Sequence, residues 1–147
     1  MSRYKQGFFK PKNISKYKGD PTQIVYRSSW ELSALMKLDS NPDVIQYSSE
    51  EIVIPYLSKI DNKIHRYFTD LWVKLKLPDG SIQEYIFEIK PSQQTIPPKK
   101  PKNLTKKFIK EVETYTKNRS KWDAAEEYCK KRGMKFQIIT EKDLGVK

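Results

Sequence analysis

The sequence predicts a single α/β domain in which a mixed sheet is flanked by helices. Three observations support this. An apolar stripe at helical spacing precedes residue 41, and period-two alternation between turn signals runs from about 44 to 91. Helical spacing then returns before one last apolar run at 134–140, and no internal repeat is present.

Residues 1–27, broken by Pro11, Gly19 and Pro21, show no sustained period and read as an extended basic arm that packs late or on a partner. Residues 28–147 read as the folded domain. "RSSWELSALMKLDSNPDV" has helix signals: Ser28 as cap, Glu31 in capping-box spacing, and Leu32, Leu35, Met36 and Leu38 as a stripe. Asn41-Pro42 stops it.

"VIQYSSEEIVIPYL" reads as two short extended runs around Ser48-Ser49. The next strands turn at Asp61-Asn62 and at Pro78-Asp79-Gly80, the second a strong hairpin signal. In "TDLWVKLKL", Leu71, Val73, Leu75 and Leu77 alternate with Asp70, Trp72, Lys74 and Lys76. In the partner strand Tyr85 and Phe87 alternate with Ile86, Glu88 and Lys90. "PSQQTIPPKKPKNL" is a proline- and lysine-rich loop. A second helix follows with Leu104, Phe108, Val112 and Tyr115 as its stripe. Ser120 is placed to cap a third, which Gly133 closes before the strand "MKFQIIT", where Gln137 reads as structural.

At 147 residues the chain is long enough to bury about 70% of its unfolded surface. No apolar run reaches the roughly 20 residues of a membrane span, and the basic start lacks the apolar core of a signal peptide. The lone Cys129 excludes an internal disulfide and suits a reducing cytoplasm, and with the lone His65 it excludes a zinc site of the usual Cys/His type. The formal charge is +11, which is the footprint of a nucleic-acid binder. Six Lys/Arg oppose one acid in residues 1–20, and nine oppose Glu111 and Glu113 in residues 98–121. Lys99, Lys100, Lys102, Lys106 and Lys107 are candidates for backbone phosphate contacts, and Arg66, a few residues before Asp70 in sequence, could also touch phosphate. The same loop could instead dock an acidic partner protein.

The chemistry concentrates on one hairpin. Asp70 starts one strand and Glu88 and Lys90 end the next, so the turn can bring these ends together. Alternation puts Glu88 and Lys90 on one face, about 6.6 Å apart along the strand. Two converging carboxylates could hold Mg²⁺, which keeps several waters, and Lys90 could orient a water or stabilise charge on a phosphate. Glu31 could add a ligand or support one. Plainer roles fit the same residues: a helix cap for Glu31 and a surface ion pair of less than about 1 kcal/mol for Glu88 and Lys90. Trp30, Trp72 and Trp122 read most simply as core or interface aromatics, with stacking on a DNA end as the alternative.

The order Glu31, Asp70, Glu88-x-Lys90, with the first acid on a helix, resembles the motif of the PD-(D/E)xK, restriction-endonuclease-like nucleases. Within them "YRSSWE", "VIPY", "RYFTDLWV" and "FEIKP" are similar to the head-completion nucleases of T4-type tailed phages. That similarity runs from "PKNISKYKGDP" to "KWDAAEEYCKKRGMKFQIIT", whereas the TnsA-related transposon-end nucleases share only the core motif. The resemblance implies a restriction-endonuclease-like fold, with Asp70 and Glu88 as ligands of Mg²⁺ (Mn²⁺ as a substitute). It also implies Lys90 as the catalytic lysine and Glu31 as the helix acid. Thr69 stands where the superfamily name has proline, a position that shapes the backbone.

The implied activity is hydrolysis of DNA phosphodiesters, by endo- or exonucleolytic cuts, during phage head completion. The implied partners are double-stranded DNA at its ends and the portal and neck proteins of the head, with no membrane. The implied location is the host cytoplasm during assembly and the head–neck region of the virion. Two other classes remain open to the sequence: a non-catalytic DNA-end-binding head protein, and a sequence-directed endonuclease of the transposon or restriction kind.

Overall fold

Residues 6–145 are described by the computed structural model. Two short strands, β1 (Gly7–Phe8) and β2 (Val25–Tyr26), pair antiparallel around a 3-10 turn at Ile14–Lys16. The segment expected as an arm is, from Gly7 onward, packed on the body of its own chain. Phe9, Tyr17 and Ile24 lie in the main core. The buried Asp39 carboxylate accepts the backbone N–H groups of Lys12 (3.0 Å) and Asn13 (3.3 Å) and the Tyr47 hydroxyl (2.9 Å). Three apolar anchors without a period escape a periodicity argument, and the carboxylate that holds the segment's backbone lies 26 residues beyond Asn13. The expected arm's residues 1–5 lie outside the described residues.

Helix α1 (Ser29–Ser40) starts where Ser28 Oγ accepts the Glu31 N–H at 3.1 Å and ends at Asn41. Its inward face is Trp30, Ala34 and Leu35, with Leu32 and Leu38 partly buried, while Met36, expected on that stripe, is 56% exposed. Met36 follows Trp30 by six residues, about 1.7 turns, so the face that buries Trp30 and Ala34 turns Met36 outward.

The extended runs form β3 (Val44–Ser49), β4 (Val53–Leu57), β5 (Ile64–Phe68), β6 (Leu71–Lys76) and β7 (Ile82–Ile89). Both predicted turns are present, with Asn62 (φ 58°) and Gly80 (φ 87°) in the left-handed region that such turns favour. The break between β3 and β4 falls at Glu50, also at positive φ (58°), just past the serine pair. After a 3-10 turn at Ser92–Thr95 and an extended loop comes α2 (Lys106–Lys131), followed by β8 (Lys135–Ile139) and the short α3 (Glu141–Leu144). The main sheet runs β3-β6-β7-β8, antiparallel except that β8 lies parallel to β7, while β4 and β5 pair separately.

The central strand β6 is buried on both faces, as alternation across a covered sheet demands. Leu71 and Val73 face α1 with Val44 and Tyr47; Trp72, with Ile86 of β7, faces Ala125 and Cys129 of α2 and the β4–β5 residues Ile54, Tyr56 and Tyr67.

The two helices expected between residues 104 and 133 are one helix of 26 residues. Thr105 caps it through the Phe108 N–H, and Ser120 does not cap. Its hydroxyl donates to the Thr116 carbonyl at 3.1 Å, four residues back, so it is satisfied within the helix and leaves no break. The expected stripe also fails at two of its four positions, since Leu104 and Val112 are exposed. The buried face is Asn118, Trp122, Ala125 and Cys129, in the C-terminal half.

Candidate active site

The hairpin register builds the site. Leu71 pairs with Phe87, so Asp70 and Glu88, each one residue further along its strand, stand side by side at the end of the sheet. Asp70 Oδ2 accepts the Ile89 N–H at 2.7 Å, which fixes its rotamer toward β7. Glu88 is 4% exposed and accepts a hydrogen bond from Trp122 Nε1 of α2 at 3.3 Å. Lys90 continues the strand past β7, its N–H bonded to the Ile139 carbonyl at 3.0 Å, and alternation gives it the face of Glu88. Pro91 is buried, and Glu141 of α3 accepts the Ser92 N–H at 3.0 Å, anchoring the chain as it leaves the site.

Glu31 lies in the first turn of α1, where its Oε2 accepts the Arg27 N–H at 2.9 Å. Its carboxylate therefore reaches past the Ser28 N–H of a standard capping box. Among the described residues no group of three or more His, Cys, Asp or Glu side chains is placed to hold a metal. Glu31 thus stands beside the Asp70–Glu88 pair, coupled to it by charge.

The electrostatics are those of crowded acids. Burial, then the charge of Glu88 and a hydrogen bond shared with it, hold the Asp70 carboxyl well above the usual carboxylate range. Burial also raises Glu31; the Arg27 N–H opposes the shift, and the charges of Glu50 and Glu88 add to it. Glu50 belongs to the same end of the sheet: its N–H donates to the Asp70 carbonyl at 3.1 Å, and its side chain pairs with Arg27. The buried Tyr67 hydroxyl makes no hydrogen bond of ordinary geometry, yet it lies close enough to Glu88 and Asp70 for their charges to add to burial in raising its pKa.

A hydrated divalent cation fits this donor set. Two carboxylates that repel each other supply hard oxygen ligands, and a buried hydroxyl without a partner could bond a water of the ion's shell.

Sequence reasoning missed Tyr67, Glu50 and Lys121, and for Trp122 it offered core or interface packing, or stacking on a DNA end, but no bond to Glu88. Lys121, partly buried, places its Nζ 5.6 Å from the centre of the Tyr67 ring, and burial lowers its pKa against the opposing charge of Glu88. The signal lay in the continuity of α2, which sets Lys121 and Trp122 against the sheet. The other candidates are spread out. Lys99, Lys100 and Lys102 are exposed on the loop before α2, and Lys106 and Lys107 on its first turn. Arg66 lies on the outer face of the β4–β5 hairpin, its guanidinium 5.6 Å from the Phe68 ring centre. A groove of about 360 Å³, walled by Gln93, Ile96, Lys107, Tyr115 and Asn118, separates the loop from α2.

A mixed sheet with a helix packed on each face is consistent with the fold of a TnsA-like endonuclease. The chain belongs to the TnsA-like endonuclease N-terminal family, whose model matches residues 41–141. It is also 48% identical over 142 residues to the protein named "Head completion nuclease" of Enterobacteria phage T4, a match covering 94% of this chain and 92% of that protein.

Proposed function

We propose that this protein is a Mg²⁺-dependent deoxyribonuclease of the PD-(D/E)xK type that acts in phage head completion, processing packaged DNA or its ends so that head and tail can join. The observation that carries the reading is the Asp70–Glu88 pair, two acids held against each other by a backbone N–H and an indole N–H, with Lys90 on the same strand face. Asp70 and Glu88 would hold the ion, with Mn²⁺ as a substitute. When bound, it would lower the pKa of a coordinated water and neutralise charge on the phosphate.

The chain's own groups do the rest. Lys90 orients the attacking water or stabilises the negative charge that builds on the phosphodiester. Trp122 fixes Glu88 in the orientation that faces Asp70. Glu31, anchored on Arg27, adds negative charge that favours a cation at the pair. Lys99, Lys100, Lys102, Lys106, Lys107 and Arg66 hold backbone phosphates, giving affinity that depends on salt and is indifferent to sequence. The name of the phage T4 relative supports the setting, with portal and neck proteins as partners during assembly in the host cytoplasm and at the head–neck region.

The test incubates linear and circular duplex DNA with the protein in Mg²⁺ or in chelator, beside Asp70→Ala and Lys90→Ala. Cutting that needs the metal and is lost in both variants supports the reading. Cutting that survives both substitutions removes the site assignment, and binding without cutting by any form favours a structural DNA-end protein. Discrete fragments from a long duplex would mark a sequence-directed endonuclease instead.

A further inference from the structure

A lysine outside residues 99–107 approaches the paired acids: Lys121 of α2 feels the charges of Glu88 and Asp70. Because α2 passes unbroken through Ser120, Lys110, Lys117 and Lys121 stand at intervals of seven and four and share one helix face. Two observations show where that face points. Lys110 and Lys117 line a cleft opposite Ser58, Asp61 and His65 at the β4–β5 turn. One turn on, Lys121 lies over the ring of Tyr67, beside the residue that bonds Glu88. The row therefore runs along the open side of the hairpin and ends at the acids.

Lys121 feels the charges of Glu88, Asp70, Lys90 and Lys117, yet among the described residues neither it nor Lys117 forms an ion pair. A lysine whose only role was to neutralise Glu88 would close on it. One held near both carboxylates and bonded to neither leaves room for an anion between them. Lys110 to Lys121 spans about 16 Å of helix axis, the axial rise of about five base pairs of B-form duplex.

We propose that Lys110, Lys117 and Lys121 form a phosphate track for one DNA strand, and that Lys121 contacts the phosphodiester lying at the Asp70–Glu88 pair. The assignment rests on the nuclease reading above and adds a binding surface to it. It also gives the helix a direction of use: the strand runs along α2 toward the acids, and Lys90 and Lys121 grip its phosphate from β7 and α2.

The test measures binding of a fluorescent linear duplex in chelator, where no cutting occurs, across a salt series. The proteins are wild type, Lys117→Ala, Lys121→Ala, Lys121→Arg and, as a comparison outside the row, Lys131→Ala. Loss of one phosphate contact lowers the slope of log K against log salt by about 0.9. Lys117→Ala and Lys121→Ala are each expected to show that drop, with Lys121→Arg and Lys131→Ala unchanged. A role confined to neutralising Glu88 would alter melting temperature and leave the slope alone. If Lys121→Ala fails to fold, Lys117→Ala carries the same expectation. Wild-type slopes in folded Lys117→Ala and Lys121→Ala overturn the track and leave the nuclease reading standing. A wild-type protein that binds no DNA overturns both.

Discussion

Trp122 donates its indole N–H to Glu88 Oε2 at 3.3 Å and so ties the middle of the long helix to the buried end of β7. The bond joins the helix that carries the cationic row to the strand that carries the acids. It also gives the Glu88 carboxylate a partner in a place where an unpaired charge would be costly. Trp122→Phe keeps an aromatic body and removes the donor. We expect a stability loss of about 2 kcal/mol in urea unfolding and cleavage lower by about tenfold, equivalent to 1.4 kcal/mol at the transition state. Binding to DNA in chelator should be unchanged.

Asp70 sets a pH dependence. Its native pKa is raised, chiefly by burial and then by Glu88, so the folded state favours the neutral carboxyl. That contribution is full below the ordinary carboxylate value near 4 and is lost as pH rises through the raised native value. Metal-free wild type should therefore lose stability relative to Asp70→Asn as pH climbs from about 4 toward neutrality, and added Mg²⁺ should restore it. Urea unfolding in chelator at several pH values measures the gap; parallel curves for the two proteins would contradict the crowded-acid account.

Asp39 holds the N-terminal segment. It accepts two backbone N–H groups and the Tyr47 hydroxyl while almost wholly buried, so Asp39→Ala strands three donors. The expected loss is about 3 kcal/mol, and limited proteolysis should then cut between residues 10 and 23 much faster than in wild type.

Capping substitutions separate one long helix from two short ones. Thr105→Ala should cost about 1 kcal/mol because Thr105 is a true cap. Ser120→Ala should change stability by less than about 0.5 kcal/mol, since its hydroxyl only bonds back to Thr116. A Ser120→Ala cost equal to that of Thr105→Ala would mean that the helix starts anew there.

What the sequence revealed and what it hid follow from the range of the forces involved. Ser28, Asn41, Asn62 and Gly80 act within a few residues, and each performs the local role its type suggests. The hairpin that pairs Asp70 with Glu88 is likewise local, because one turn sets its register. The N-terminal packing depends on Asp39, and the setting of Lys121 depends on β5 and β7, both distant in sequence. Met36 and Ser120 show the remaining failure: an apolar residue at the right spacing can face solvent, and a capping residue can be satisfied inside a helix.

The proposed function stands on Asp70 and Glu88 forming a cation-dependent cutting site. Its most direct test is the single-turnover rate of linear duplex cleavage in Mg²⁺ by Glu88→Gln, which keeps the shape and the Trp122 contact of the side chain and removes its charge. This variant should bind DNA as wild type does and cut at least about a hundredfold more slowly, a loss of about 2.7 kcal/mol. Cutting at the wild-type rate by Glu88→Gln would contradict it.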